Sequence, residues 1–275
     1  MKNTNKNMLY TFWSGAILLC LALVAVVLVF TNAVGNTHDS KPKDDPAAAV
    51  TPTPTPQVNP ITPIQSSAAL AQTEDKGSAY VDQIYFLGDK SLKMLQTESM
   101  LTGTDARKQV WVPDTGSLPV SSLDTAKYKS PVTGNNVPAD EICEVNKPAY
   151  LAICPSADNI SMTNEEQIKS VYTTLINAVK AKSPDTKIIC CSISSVIANY
   201  TGSDGLTTIM ISDANDWIRE VCSATNMYFI DSGKAVGDGT GAALSSYLSS
   251  NGKTLNSSGI NEVLSYLRTH ALTTE

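Results

Sequence analysis

The chain of 275 residues has only two histidines, His38 and His270, and it has no long basic run. Imidazole is the side chain that exchanges protons near neutral pH, so its scarcity restricts any acid–base mechanism. The lack of basic runs, together with a formal net charge of −6, argues against nucleic acid as a partner. The chain has neither a Cys-x-x-Cys pair nor a histidine cluster, so we expect no metal and no other cofactor.

Charge is also missing from residues 11–30. A helix of roughly 20 such residues spans a bilayer. Lys2 and Lys6 precede this segment, which favours a cytoplasmic N-terminus. We therefore predict a cytoplasmic tail over residues 1–10, a transmembrane signal anchor over 11–30 and an extracellular remainder, which is a single-pass protein of the cell membrane. A cleaved signal peptide with its cut near Ala33 is the alternative.

Residues 31–78 contain the run Thr51-Pro-Thr-Pro-Thr-Pro. Proline fixes φ and removes backbone donors, which favours a semi-extended chain. At about 3.1 Å per residue, this segment reaches at most on the order of 150 Å. We predict an extracellular stalk over residues 31–78 and one globular domain over residues 79–275.

The globular part alternates short apolar runs with segments of helical periodicity. Strands that are apolar on both faces, alternating with amphipathic helices, favour an α/β fold with a mostly parallel sheet between two helical layers. The predicted strands are Ile84–Leu87, Val110–Val112, Tyr150–Cys154, Ile188–Ile193 and Met227–Ile230. Helices are predicted over Leu92–Met100, after a capping box at Thr163 and Glu166, from Asp213 onward, and around Ile260–Leu267.

Five cysteines follow the predicted anchor, and an odd number cannot all pair within one chain. Cys190 and Cys191 are neighbours in a predicted strand, so their side chains face opposite sides of the sheet and do not bridge each other. Buried free thiols and one long-range disulfide both stay open. The five are Cys143, Cys154, Cys190, Cys191 and Cys222.

The run Ile84-Tyr-Phe-Leu-Gly-Asp-Lys-Ser91, an apolar strand that ends in Gly-Asp, resembles the first block of the SGNH (GDSL-type) hydrolases. The resemblance covers nearly all of residues 82–272. It is strongest to exported bacterial members, whose last helix ends like Tyr266–Ala271. It implies a three-layer α/β/α, flavodoxin-like domain with a five-stranded sheet. In such a sheet, ligands bind beyond the carboxyl ends of the strands.

Carried over position by position, the resemblance implies that the catalytic groups of the family are missing. Thr254 cannot accept a proton at neutral pH, and Asn251 lacks the charge that stabilises an imidazolium. Asp158 places an anion where an oxyanion should be stabilised. The family's nucleophile falls on Lys90, and its oxyanion glycine falls on Gly116. Its Gly-x-Asn pair falls on Ser156 and Asp158. Its Asp–His pair falls on Asn251 and Thr254.

We interpret the domain as a catalytically inactive pseudo-hydrolase that acts as a binding or structural envelope module, with a cell-wall or polysaccharide ligand. The alternative is an active esterase or carbohydrate O-deacetylase with a rearranged site and Ser91 as the nucleophile. We also expect Lys90 either to form an ion pair with Asp158 or to leave an open anion site at the start of the next helix. The candidate binding residues are Asp89, Lys90, Gly116, Asp158 and Thr254.

The predicted anchor can be tested by fractionation. Because an uncleaved apolar helix inserts into the bilayer, the mature protein is expected to keep Met1 or Lys2 and to stay with membranes after a high-salt wash. N-terminal sequencing of the washed fraction measures this. A soluble mature chain that begins near Val34 would contradict the anchor.

Overall fold

The computed structural model describes residues 69–103, 105 and 108–272. The predicted cytoplasmic tail, the transmembrane segment and most of the stalk lie outside these residues. Within the described ranges, no helix combines the length and the apolar character needed to cross a membrane.

Five parallel strands form the central sheet in the order β2-β1-β5-β6-β7. Counting only these five strands, the order is 2-1-3-4-5, which is the flavodoxin-like order. The resemblance implied this fold, and the strand order confirms it. The strands are β1 Ile84–Gly88, β2 Val110–Trp111, β3 Lys127–Lys129, β4 Asn136–Pro138, β5 Tyr150–Cys154, β6 Lys187–Cys191 and β7 Tyr228–Ile230.

Helices cover both faces of this sheet. Helices α3, α4 and α5 pack on the face that includes Leu151 and Ile153, and helices α1, α2 and α6 pack on the face that includes Phe86 and Ala152. The three-layer arrangement predicted from the alternating pattern is therefore confirmed. The α-helices are α1 Gly77–Val81, α2 Met94–Thr97, α3 Ala139–Asn146, α4 Glu165–Lys182, α5 Thr208–Thr225 and α6 Ser257–Thr269.

Cys190 and Cys191 show how the strands separate the two layers. Cys190 packs with the α3–α5 layer and Cys191 with the opposite layer, and both are almost fully buried. Their opposite orientation is what strand geometry predicts for neighbours. All five cysteines of the described residues are free thiols in this structure.

Three helix boundaries differ from the prediction. The helix expected over Leu92–Met100 is a 3-10 turn, Lys90–Lys93, followed by the short α2, and the left-handed Ser99 lies just beyond them. Helix α4 is capped by Asn164, whose side chain accepts from the backbone N–H of Gln167, and not by Thr163.

Helix α5 begins earlier than predicted. It starts at Thr208, because Thr207 caps it by accepting a hydrogen bond from the N–H of Met210. The prediction placed the start at Asp213 because the first turn, with the exposed Ile209, does not belong to the buried stripe.

Residues 69–78, which the prediction assigned to the end of the stalk, bond to the domain. The N–H of Leu70 donates to the carbonyl of Phe229 at 2.8 Å, and the N–H of Thr73 donates to Thr269 at 2.6 Å. The hairpin β3–β4 and helix α3 were not predicted. The hairpin strands are three residues long, too short for a recognisable alternation.

Gly88 ends β1 at a point where no side chain fits. A Cβ there would lie 2.5 Å from the carbonyl oxygen of Cys154 in the neighbouring strand. Gly88→Ala is therefore expected to lower the free energy of unfolding by about 1–3 kcal/mol, the usual cost of overpacking, measured by denaturant titration.

Gly237→Ala is the matched control for Gly88→Ala. Its Cβ would meet its nearest neighbours at 3.6 Å, an ordinary contact distance, and Gly237 has a negative φ of −77°. The stability of this variant is expected to change by less than about 1 kcal/mol. Equal effects of the two substitutions would contradict the close approach of β1 and β5.

Candidate functional site

Four loops meet at the carboxyl edge of the sheet. They follow β1, β2 and β5 and precede α6, and they carry all the site residues predicted from the sequence. The N–H of Lys90 donates to the carbonyl of Gly116 at 2.9 Å, and the N–H of Ser156 donates to Leu118 at 2.9 Å. An ion pair at 2.7 Å joins Asp158 to Lys253. The four motifs are therefore adjacent in space.

Asp89 and Ser91 contact each other in the loop after β1. The Asp89 carboxylate caps the 3-10 turn by accepting from the backbone N–H of Ser91 at 2.9 Å, and it also accepts from the Ser91 hydroxyl. Burial raises the pKa of Asp89, and the two hydrogen bonds from Ser91 offset this only in part. The Ser91 hydroxyl is therefore held against a carboxylate, not against the Lys90 amine.

Lys90 takes no part in the contact between Asp89 and Ser91. Its side chain is exposed and runs beside Gly116, where the Cβ of any larger residue would meet the Lys90 Cβ at 3.5 Å. Gly116 has a φ of +74°, a conformation that favours glycine. No ion pair joins Lys90 to another described residue, so the expected pair with Asp158 is wrong, because Asp158 has a different partner.

That partner is Lys253, in the loop before α6. Its amine lies 2.7 Å from Asp158 and 3.0 Å from Asp204. Asp158 also accepts hydrogen bonds from the hydroxyls of Ser117, at 2.5 Å, and of Ser156, at 3.1 Å. The carboxylate therefore has three donors around it.

Partial burial acts to raise the pKa of Asp158, but the bonds from Lys253 and Ser117 outweigh it and leave the pKa below its usual value. Burial likewise acts to lower the pKa of Lys253, but its two carboxylate partners raise it. The lowered pKa of the Asp158 carboxyl and the raised pKa of the Lys253 amine both favour the charged form of the pair. The pair therefore stabilises the fold between about pH 4 and pH 10, with loss below and above that window.

Asn251 and Thr254 are the residues on which, by the resemblance, the family's carboxylate and imidazole would fall. The Asn251 amide donates to the Thr254 hydroxyl at 2.9 Å, and its carbonyl accepts from the backbone N–H of Thr254 at 3.0 Å. The loop thus holds two polar side chains at the hydrogen-bond distance that a base and the group orienting it would need. Neither side chain can act as a base at neutral pH.

A small cavity of ≈ 60 Å³ lies between these loops. It has room for about four water molecules. Lys90, Gly116 and Asn251 do not line it. Of the predicted site residues, those that line the cavity are Asp89, Ser91, Ser156, Asp158 and Thr254.

The cavity offers little for acyl transfer. His270, the histidine of the described residues, stacks on Tyr266 at the end of α6 and does not line the cavity. Serine is activated by a base such as imidazole, and a carboxylate is a weaker base. The hydroxyls of Ser91 and Thr254 are both bonded to neighbouring side chains.

The site contains three residues that were not singled out from the sequence, which are Lys253, Asp204 and Ser117. Lys253 lies inside the motif Asn251–Thr254, and the signal for it was a lysine between two altered catalytic positions. Asp204 is 49 residues away from Lys253 along the chain, and no local pattern predicts their contact.

No protein-family model matches the chain, and no curated protein matches it in sequence. Among solved structures, it is similar to a protein described as a GDSL-like lipase from Parabacteroides merdae, with 13% identity and a TM-score of 0.47, over 74% of this chain and 99% of that one. It is also similar to a carbohydrate esterase of family 3 from Talaromyces cellulolyticus, with 15% identity and a TM-score of 0.43, over 67% and 93% of the two chains.

A mutant acetyl-xylooligosaccharide esterase from Geobacillus Stearmophilus has 12% identity to the chain and a TM-score of 0.45, over 74% of this chain and 97% of that one. The activities named in these descriptions belong to those proteins. The strand order and the meeting of the four loops carry the fold assignment by themselves, and they fit the α/β/α fold of SGNH-type hydrolases.

The Lys253–Asp158 pair is expected to contribute measurably to stability. The two side chains are 18% and 34% exposed, between the buried and the surface case. Lys253→Met is therefore expected to lower the free energy of unfolding by about 1–3 kcal/mol, as for a hydrogen bond to a charged group. In the double variant with Asp158→Asn, part of the loss should be recovered, because position 158 no longer carries an unpaired charge, while the contact of Lys253 with Asp204 stays lost.

Lys90→Met is the control for this cycle, since Lys90 is exposed and forms no ion pair with a described residue. Its effect is expected to stay within about 0.5 kcal/mol. Strictly additive effects of the Lys253 and Asp158 substitutions, or coupling of Asp158 to Lys90 instead, would contradict the observed pairing.

Proposed function

We propose that the chain is a membrane-anchored, extracellular protein whose SGNH-type domain does not hydrolyse esters and serves as a binding or structural module of the cell envelope. The Lys253–Asp158 ion pair at 2.7 Å carries this proposal. Where the resemblance implies an asparagine that donates to an oxyanion, this chain has an ionised carboxylate. Asp158 accepts hydrogen bonds in its contacts with Lys253 and two serines, so it cannot donate to the oxyanion that develops in acyl transfer, as an asparagine amide would.

The surroundings of Ser91 support the same conclusion. Its hydroxyl is bonded to Asp89, and no imidazole is among the residues that line the cavity. Nucleophile and base act as a unit, so a serine without an imidazole beside it lacks the activating base of the family mechanism.

A second concave surface supports the binding role. A groove of ≈ 500 Å³ lies beside the cavity, between the loops after β6 and β7 and the first turn of α5. This volume is in the range of small-molecule sites. Ser212, Asn215 and Thr240 are among the polar residues that line the groove. Such a groove suits a hydroxyl-rich ligand, for example a segment of cell-wall polysaccharide.

One observation favours the alternative, an esterase or O-deacetylase with a rearranged site. Ser91 lines the cavity, and burial raises the pKa of its partner Asp89. A carboxylate with a raised pKa is a better proton acceptor than an ordinary one. In that case Ser91 is the nucleophile and Asp89 the base.

An ester-hydrolysis assay separates the two functions. The full-length chain in mild detergent is expected to release acetate from acetylated oligosaccharides no faster than its Ser91→Ala variant, because neither has an activated nucleophile. Acetate release measures this. Wild-type turnover that disappears in Ser91→Ala would establish the esterase and overturn the proposal.

Restoring the family residues provides the positive control. The Asn251–Thr254 contact already has hydrogen-bond geometry. The variant that combines Lys90→Ser, Asp158→Asn, Asn251→Asp and Thr254→His is expected to gain turnover above the wild-type background. The same variant without Thr254→His should stay at background, since it has no base.

A further inference from the structure

The described cysteines form two contacting pairs and leave one thiol alone. The Sγ atoms of Cys154 and Cys191 lie 3.3 Å apart, at the carboxyl ends of the neighbouring strands β5 and β6. Cys190 forms a thiol contact with Cys222 of α5, on the opposite face of the sheet. Cys143 has no such partner among the described cysteines.

The two pairs differ in their access to solvent. Cys154 and Cys191 both line the cavity of ≈ 60 Å³, and Cys154 is partly exposed. Cys190 and Cys222 are fully buried, and neither lines that cavity. A small reagent that enters the cavity therefore meets Cys154, which contacts the buried Cys191, whereas Cys190 and Cys222 do not line the cavity.

We propose that Cys154 and Cys191 are a modification site, at which a small peroxide oxidant closes a disulfide between β5 and β6 beneath the cavity. The backbone allows this bond. Neighbouring strands lie about 4.7–4.9 Å apart, within the Cα separations that disulfides span. The two sulfur atoms need to approach by about 1.3 Å to reach bond length, a movement that side-chain rotation can supply.

The chemistry proceeds in two balanced steps. The Cys154 thiolate attacks one oxygen of hydrogen peroxide, breaks the O–O bond and becomes a sulfenic acid, while hydroxide leaves and takes up a proton to form water. The Cys191 sulfur then attacks the sulfenic sulfur, the S–S bond forms and a second water leaves with the thiol proton. Both thiols are oxidised, and the peroxide is reduced.

The reaction is slow in the folded state. The hydrogen bond with Cys191 and burial both raise the pKa of Cys154, so little thiolate is present at neutral pH. The bond ties together the ends of the two strands from which the loops of Ser156 and Ser192 emerge. Its occurrence in the cell rests on the extracellular location proposed above, because exported proteins meet oxidants. The chemistry itself is independent of that location.

Peptide mapping tests the site. The full-length chain is exposed to hydrogen peroxide, its remaining thiols are alkylated and it is digested without reduction. The expected result is one linked peptide pair that joins Cys154 to Cys191, with Cys143, Cys190 and Cys222 recovered as alkylated thiols. Recovery of Cys154 as an unlinked thiol, or as a higher oxide without the link, would overturn the proposal.

Two variants make the assignment specific. Cys143→Ser is the matched control and is expected to form the same link in the same yield. Cys191→Ala removes the resolving thiol, so Cys154 should stop at the sulfenic acid, which a cyclic dione traps. The wild-type peptide map tests the Cys154–Cys191 link by itself, so the test does not depend on the folding of Cys191→Ala. A link between any other pair of described cysteines would count against the cavity as the route of access.

Discussion

A parallel sheet that is buried on both faces is the constraint on which this structure depends. Ile188 and Ile189 are neighbours in β6, and both are fully buried, on opposite faces. Parallel strands need crossover connections, so all their carboxyl ends lie at one edge and polar residues excluded from both faces collect in the loops there. The position of a site is therefore determined by the fold before any particular side chain is considered.

The loops at this edge are joined to one another by hydrogen bonds and ion pairs between their side chains. The Asn251 amide donates to the Thr254 hydroxyl, and these are the side chains on which the resemblance places a base and its orienting group. Lys253, from the same loop, places its amine on Asp158 and so neutralises a carboxylate that the fold would otherwise leave without a cation. These four side chains are bonded to one another or to neighbouring loops, which favours a rigid edge over one prepared for a reacting substrate.

The strands and layers could be predicted because short apolar runs of three to six residues, alternating with amphipathic segments, leave little choice of structure. Helix α4 was predictable for a similar reason, since its buried stripe repeats over about three turns, from Ile168 to Val179. The hairpin could not be predicted, since Tyr128 is the one fully buried residue of its first strand. Lys253 could not be chosen over Lys90 either. Both lie in altered motifs, and only the direction of each side chain decides which one reaches Asp158.

The contacts of residues 69–76 have a mechanical consequence. Asp75 forms a two-point ion pair with Arg268, and Lys76 and Thr73 bond to the backbone at the carboxyl end of α6. A pull on the N-terminal segment therefore enters the domain through the edge strand β7 and the last turn of α6. The cavity loops join α6 at its other end, about 20 Å away along a helix of 13 residues. A force on residues 69–76 thus acts on the carboxyl end of α6, whereas the cavity loops are joined to the opposite end of the same helix.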